Sequence, residues 1–301
     1  MKKVKAWVSA ARLRTLPLSV AGILMGSAFV YSTPYWNSSL FWLAILTTLA
    51  LQILSNFAND YGDGVKGTDN TERTGPQRAL QSGALTDQEL KKGIVVNSII
   101  AFILSCVLIY QAFGSEFFMY SVAFLSLGIL AIIAAIKYTV GDTAYGYKGL
   151  GDVFVFLFFG LVSVLGSYFL YTQSIELKIV FPALGIGLLS TAVLNLNNMR
   201  DIVGDKKSNK ITLVVKLGFK KAKIYHSLLI ILGLFFSLIA IGIDAKNLLD
   251  LLPFLFILPL FIHLIQVHKT EVPKNLDPEL KKVALSTFGI SLVWMLLNLI
   301  N

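Results

Sequence analysis

Two short acidic segments share one pattern. Asn56-Phe-Ala-Asn59-Asp60-Tyr-Gly-Asp63 and Asn197-Asn198-Met-Arg200-Asp201-Ile-Val-Gly-Asp205 each place an Asp four residues after an Asn, with a second Asp three or four residues further on. On a helix, Asn56 and Asp60 lie one turn apart on one face, and Asp63 adjoins them if the helix persists; Asn197, Asp201 and Asp205 form the same stripe. Carboxylates at this spacing repel each other and lose hydration near a bilayer, so both effects penalise the charged state. A hard divalent cation removes the conflict. Mg2+ takes oxygen ligands, often one or two carboxylates plus substrate phosphates, and keeps several waters. Two such turns on one side of a helical bundle would hold two Mg2+ ions with a diphosphate between them, the amides of Asn56 and Asn197 supplying oxygen or orienting the carboxylates. A single Asp at a helix end is an ordinary interfacial charge. At a C-terminal helix end it opposes the helix dipole, and here the pattern occurs twice.

Basic residues follow both clusters. Arg73 and Arg78 lie in ERTGPQRALQSG, Lys137, Tyr138 and Lys148 flank a Gly-rich stretch over 138–152, and Arg200, Lys206, Lys207 and Lys210 surround the second cluster. Arg binds phosphate in a fork and Lys as a point charge, so the set suits a phosphate-rich ligand. Inner loops of any membrane protein are basic, which is the plain alternative for each residue taken alone. Arg73, Arg78 and Lys210 stand out because Gly and Pro turns or an adjacent Asp cluster limit where they point. Tyr138, Tyr145 and Tyr147 either line an aromatic acceptor pocket or form an interfacial belt. The stretch YTVGDTAYGYKGLGD lacks the spacing of a P-loop or dinucleotide fingerprint. Gly22 and Gly26 read as a helix-packing pair, Cys106 as a packing residue, and His226, His263 and His268 show no metal-ligand spacing.

The elements that carry these residues are legible in composition. Of 301 residues, 55% are apolar and 14% charged, with a mean hydropathy of +0.72. A soluble domain carries about 25% charge, and a disordered chain is poor in apolar residues; both classes are excluded, and one Cys excludes a disulfide scaffold. A helix needs about 20 apolar residues to cross the hydrocarbon core. Uncharged runs predict nine spans at approximately 15–31, 40–59, 93–112, 117–137, 153–171, 178–199, 224–243, 250–267 and 283–300. The expectation is an all-α polytopic membrane protein forming one transmembrane domain over 1–301. The alternation of barrel strands is absent. The first span has no small-residue cleavage site followed by a polar chain, so it reads as a retained helix rather than a signal peptide. Alternating loops place 24 of the 26 Lys and Arg residues on one side, leaving only Lys178 and Lys246 on the other. The positive-inside rule then predicts a cytoplasmic N-terminus and an outer C-terminus in the cell membrane. The net charge of +9 is accounted for by topology and requires no nucleic acid, and nothing in the sequence demands a protein partner.

Three segments, NFANDYGDGVKGTDNTERTGPQRALQSG, KYTVGDTAYGYKGLGD and LNLNNMRDIVGDKKSNKITLVVKLG, resemble the UbiA superfamily of intramembrane aromatic prenyltransferases. The likeness runs from about Arg12 to the final helix and is greatest to the branch acting on 1,4-dihydroxy-2-naphthoate in menaquinone biosynthesis. The resemblance implies nine helices around a central cavity, and Mg2+ held by two Asp-rich motifs and binding the diphosphate of a polyprenyl donor. By that likeness Asn56, Asp60 and Asp63 match the first motif, and Asn197, Asp201 and Asp205 the second. Arg78, Lys137, Tyr138, Tyr147 and Lys210 match positions near substrate. Gly67 stands where many members have a further Asp, with Asp69 two residues on. The implied activity is Mg-dependent transfer of a polyprenyl group from polyprenyl diphosphate to the naphthoate within membrane lipid, releasing diphosphate and CO2 and giving demethylmenaquinone. Two rivals stay open at this point: another aromatic acceptor such as 4-hydroxybenzoate, and a membrane transporter. A transporter would place its Asp residues near mid-span, whereas these sit at span ends.

Overall fold

The structure of the protein is a computed structural model that describes residues 2–69, 75 and 77–300. Among the described residues it is all α with no strand. In chain order the helices are α1 (Lys2–Ala11), α2 (Leu16–Tyr31), α3 (Ser38–Val65), α4 (Asp87–Phe113), α5 (Phe118–Lys137) and α6 (Gly151–Val155). There follow α7 (Gly166–Thr172), α8 (Leu177–Lys207), α9 (Leu213–Leu217), α10 (Phe219–Asp244), α11 (Ile257–Lys269) and α12 (Asp277–Ile300). A π-helical run, Phe156–Leu165, joins α6 to α7 into one span. Among the described residues nine such continuous segments are long and apolar enough to cross a membrane. The chain is a multi-pass membrane protein.

Contacts divide the chain into two compact units. The first comprises Met1–Leu16, Leu43–Gly151 and Asp201–Lys216. Its core is Leu54, Ala58, Leu90 and Ile94, closed over by Ala6 and Ala10 of α1. Arg12, with φ of 51°, breaks the helix between α1 and α2. A capping box starts α4: Glu89 N–H donates to Thr86 Oγ1 at 3.2 Å, and Thr86 N–H donates to Glu89 Oε2 at 3.0 Å. Buried Asn97 of α4 donates to the Ala50 carbonyl at 2.6 Å, which satisfies an amide that lipid could not. The second predicted span stops at 59, but α3 runs to Val65. Gly62 makes this extension packable: a Cβ there would lie 2.8 Å from the Thr139 carbonyl carbon. The acidic segment is therefore helical throughout, the condition for one shared face.

The second unit comprises Pro17–Trp42, Asp152–Arg200 and Leu217–Asn301. Small residues let its backbones meet, the usual basis of helix association in lipid. A Cβ on Gly22 of α2 would lie 2.9 Å from the Phe159 carbonyl oxygen, and one on Gly160 would lie 2.5 Å from Gly187 Cα of α8. Both approaches fall on the π-helical run. At one end, Trp36 stacks on Tyr171 at 5.6 Å, and the Tyr171 hydroxyl lies 3.2 Å from Ser27 Oγ. Three helices also join in a buried polar chain that sequence spacing did not announce. His226 Nε2 and His263 Nε2 are 2.7 Å apart, His263 Nδ1 is 2.7 Å from Glu279 Oε2, and Lys282 reaches Glu279 at 2.6 Å. The carboxylate fixes the His263 tautomer with its proton on Nδ1.

Candidate functional site

The last three turns of α3 carry the first acidic segment, all of it within the first unit. Asn56 Nδ2 donates to the Ala11 carbonyl at 2.8 Å and to Thr15 Oγ1 at 3.2 Å, while its Oδ1 accepts from Gln52 at 3.2 Å. The side chain thus ties α3 to the break after α1. Asp60, 1% exposed, accepts the backbone N–H groups of Ala79 and Leu80 at 3.1 and 3.3 Å. It anchors the loop that delivers Arg78. The Arg78 Nε is 3.6 Å from Asp69 Oδ2. Among the described residues, the buried Nε and Nη1 of Arg78 have no hydrogen-bond partner. A guanidinium with unfilled buried donors is suited to an anionic ligand.

Asp63, buried at 4% exposure, is the meeting point of three separate stretches of sequence. The Tyr147 hydroxyl, from the 3-10 turn Tyr145–Lys148, donates to Asp63 Oδ1 at 2.8 Å and lies 2.6 Å from Thr68 Oγ1. Lys210 Nζ approaches Asp63 Oδ2 at 3.4 Å and Asp205 Oδ1 at 4.0 Å. The Lys210 ammonium therefore lies between one carboxylate of each acidic segment. Burial opposes its charge, but Asp63, Asp205, Tyr147 and Asp201 outweigh that cost and raise its pKa above the ordinary lysine value. Burial and the Asp63 carboxylate push the Tyr147 phenol up as well, which keeps it a protonated donor. Lys66 completes the arrangement, with Nζ 4.1 Å from the centre of the Tyr147 ring and 2.8 Å from the Gly141 carbonyl.

The second acidic segment lies on the final turns of α8. Asp205 is buried and Asp201 half-buried. The Asp205 carbonyl accepts the Lys210 N–H at 2.8 Å, folding the chain back after α8 so that the lysine returns to its own cluster. The Ile211 N–H donates to the Tyr147 carbonyl at 3.2 Å, which ties that return to the 3-10 turn. Asn197 is differently engaged: its Oδ1 accepts from Arg200 Nη2 at 2.8 Å, and Arg200 Nη1 pairs with Asp277 at 2.6 Å.

The other predicted residues are more dispersed. Arg73 lies outside the described residues. Lys137 is exposed at the end of α5. Tyr138 packs edge-on against Tyr145 at 5.3 Å, and its carbonyl accepts the Gly146 N–H at 3.0 Å, so it shapes the turn that presents Tyr147. Sequence reading passed over Thr68, Lys66 and Thr139, whose Oγ1 donates to the Ala58 carbonyl at 2.9 Å. Their signal was position within the acidic and Gly-rich stretches rather than residue type. It also passed over Asn195, which is fully buried, with neither amide atom hydrogen-bonded among the described residues. An Asn inside an uncharged span was the available sign.

Among the described residues no three His, Cys, Asp or Glu side chains converge closely enough to hold a metal ion alone. The donor set nonetheless suits Mg2+, which takes one or two carboxylates and completes its shell with water and phosphate. The carboxylates offer only oxygen, and the Lys210 ammonium already marks a cation position between Asp63 and Asp205.

A model of the UbiA prenyltransferase family matches residues 19–301. The chain is 44% identical over 303 residues to a 1,4-dihydroxy-2-naphthoate octaprenyltransferase of Haemophilus influenzae, covering 98% of this chain and 96% of that protein. It is 44% identical over 232 residues to the Escherichia coli protein of the same name, covering 76% and 74%. Among solved structures, an apo UbiA homolog from Aeropyrum pernix superposes with a TM-score of 0.71 at 14% identity, over 94% of this chain and 97% of the other. A UbiA homolog from Archaeoglobus fulgidus bound to DMAPP and Mg2+ gives 0.66 at 13% identity, over 96% and 99%. The structural likeness speaks to fold alone, whereas the sequence match runs through both acidic segments: the chain belongs to the UbiA prenyltransferase family.

Proposed function

We propose that the protein transfers a polyprenyl group from polyprenyl diphosphate to 1,4-dihydroxy-2-naphthoate, giving demethylmenaquinol, the reduced form of demethylmenaquinone, in menaquinone biosynthesis. The observation that carries this reading is the convergence of Asp63, Tyr147, Asp205 and Lys210, in a chain 44% identical to enzymes named for that acceptor. Asp60, Asp63, Asp201 and Asp205 are the residues that would hold Mg2+, with Asn56 and Asn197 orienting the helices that carry them. When bound, Mg2+ supplies positive charge for the diphosphate oxygens. Arg78, through its unfilled donors, and the Lys210 ammonium bind the same group, which stabilises charge as it develops on the leaving diphosphate. Tyr147 holds Asp63 in place and stays protonated while doing so. The apolar helices house the prenyl tail and exclude water from an allylic cation. The C–O bond to diphosphate breaks, a ring carbon of the naphthoate forms the new C–C bond, and the ring carboxylate departs as CO2. The basic loops put this chemistry on the cytoplasmic side, with the C-terminus outside.

The test is acceptor competition. Membranes containing the protein, supplied with Mg2+ and a polyprenyl diphosphate, are expected to prenylate 1,4-dihydroxy-2-naphthoate with release of diphosphate and CO2. Turnover of 4-hydroxybenzoate in its place would move the protein to another acceptor class.

A further inference from the structure

Within the first unit, α1, α3 and α4 enclose a groove of about 450 Å³ that takes no part in the acidic site. Its wall is apolar: Trp7, Phe57, Val96 and Ile100 line it. Trp7 meets Phe57 edge to face at 5.1 Å. The indole fits because residue 93 is Gly; a Cβ there would lie 2.5 Å from the Trp7 ring. The one amide in the wall, Asn97, is already turned away to the Ala50 carbonyl. Nothing polar inside the groove therefore awaits a partner. Val96 and Ile100 are 56% and 45% exposed, so the groove opens on an uncovered apolar side of α4.

Its rim differs in character. Glu89 and Lys92 both border it. Glu89 is neutralised by Lys3 and by the cap of α4. Lys92, exposed, has no ion pair among the described residues. One uncompensated ammonium thus stands above an apolar channel that runs about 12 Å along α4, from Lys92 to Ile100. The neighbouring α1 exposes Val4 and Val8 one turn apart, after a lysine-bearing first turn, as an interfacial helix does.

We propose that this groove is a binding site for an anionic glycerophospholipid, one acyl chain lying against Trp7, Phe57, Val96 and Ile100 and the phosphate paired with Lys92. A single unpaired cation suits a singly charged phosphodiester, and the apolar wall suits a saturated or unsaturated chain without polar groups. Occupancy bears on α3, because Phe57 follows Asn56 directly and precedes Asp60 by less than one turn. The site itself is independent of the reaction assigned above.

The experiment is native mass spectrometry of the full detergent-solubilised chain, incubated with dioleoylphosphatidylglycerol or dioleoylphosphatidylcholine. The wild type is expected to retain one phosphatidylglycerol at least tenfold more tightly than phosphatidylcholine. Lys92→Gln is expected to remove most of that preference, and Val96→Trp, which fills the groove, to lower retention of both lipids. Location is read separately: brominated phosphatidylglycerol should quench the part of the tryptophan emission that Trp7→Phe removes. An unchanged thermal midpoint in Lys92→Gln guards against misfolding, and Trp7→Phe supplies a second variant that keeps the groove apolar. Equal retention of the two lipids by the wild type, or unaltered selectivity in Lys92→Gln, overturns the proposal, as does quenching that persists in full in Trp7→Phe.

Discussion

Asp63 and Lys210 illustrate how far a single residue's role depends on a partner distant in sequence. They are buried together, and removing Asp63 leaves Lys210 only the more distant Asp205 and Asp201, at a cost below the roughly 3–5 kcal/mol of a buried charge left wholly unpaired. Asp63→Ala should therefore lower the thermal midpoint as well as abolish prenyl transfer. Asp63→Leu combined with Lys210→Met should recover much of the midpoint but none of the activity; recovery of both would show the pair to be structural only. Tyr147→Phe is a finer probe, since it deletes one hydroxyl that donates to Asp63. A hydrogen bond to a charged group contributes about 1.5–3 kcal/mol to stability, so the thermal midpoint should fall modestly, and kcat/KM should fall as Asp63 loses the donor that holds it in place. Its pH dependence follows from the raised phenol pKa. The phenol is a proton donor below the ordinary tyrosine value of about 10, and the bond is lost only as pH rises through the higher folded value. The deficit of Tyr147→Phe should thus be constant from pH 6 to 9; a deficit that vanishes by pH 9 would contradict the donor role. The acidic residues of this cluster were legible in the sequence because their spacing repeats. Thr68 and Lys66 were not, because each acts on Tyr147 through a turn whose geometry the spacing does not encode.

At the scale of elements, the helix end matters most. The predicted span stopped where charge began, because hydropathy marks the edge of the hydrocarbon and not the end of a helix. Backbone hydrogen bonding carries α3 six residues further, to Val65, and close cover by Thr139 makes that extension fit. Gly62→Val would drive a side chain into the Thr139 backbone. Overpacking of this kind costs about 1–3 kcal/mol, and here it separates the 138–148 stretch from α3. The expected result is loss of most prenyl transfer with a modest fall in thermal midpoint; wild-type activity would show that the contact does not position Tyr147. The π-helical run and the break at Arg12 lay beyond sequence reading for a different reason. Both are local departures from regular geometry, set by what packs alongside: Gly160 against Gly187 in one case, and Asn56 gripping the Ala11 carbonyl in the other.

Across the whole molecule, scarce charge is the organising fact. The asymmetry of Lys and Arg predicts that Lys207 and Lys246 lie on opposite sides of the membrane. In a Cys106→Ser background, Lys246→Cys should react with an impermeant maleimide added to intact cells, and Lys207→Cys only after permeabilisation; the reverse pattern would invert the topology. The same scarcity gives the Lys210 ammonium an influence beyond its own ion pairs. Being tethered, it stands beside Asp63 and Asp205 at an effective concentration on the order of millimolar or higher. Any dissolved ion must outcompete it. A sodium or potassium ion offers no more charge than the lysine already provides, whereas a doubly charged ion doubles the Coulomb attraction at a given distance. If the two acidic turns hold Mg2+ as proposed, this built-in competitor would make them a valence filter, favouring a divalent ion over the abundant monovalent ions of the cell.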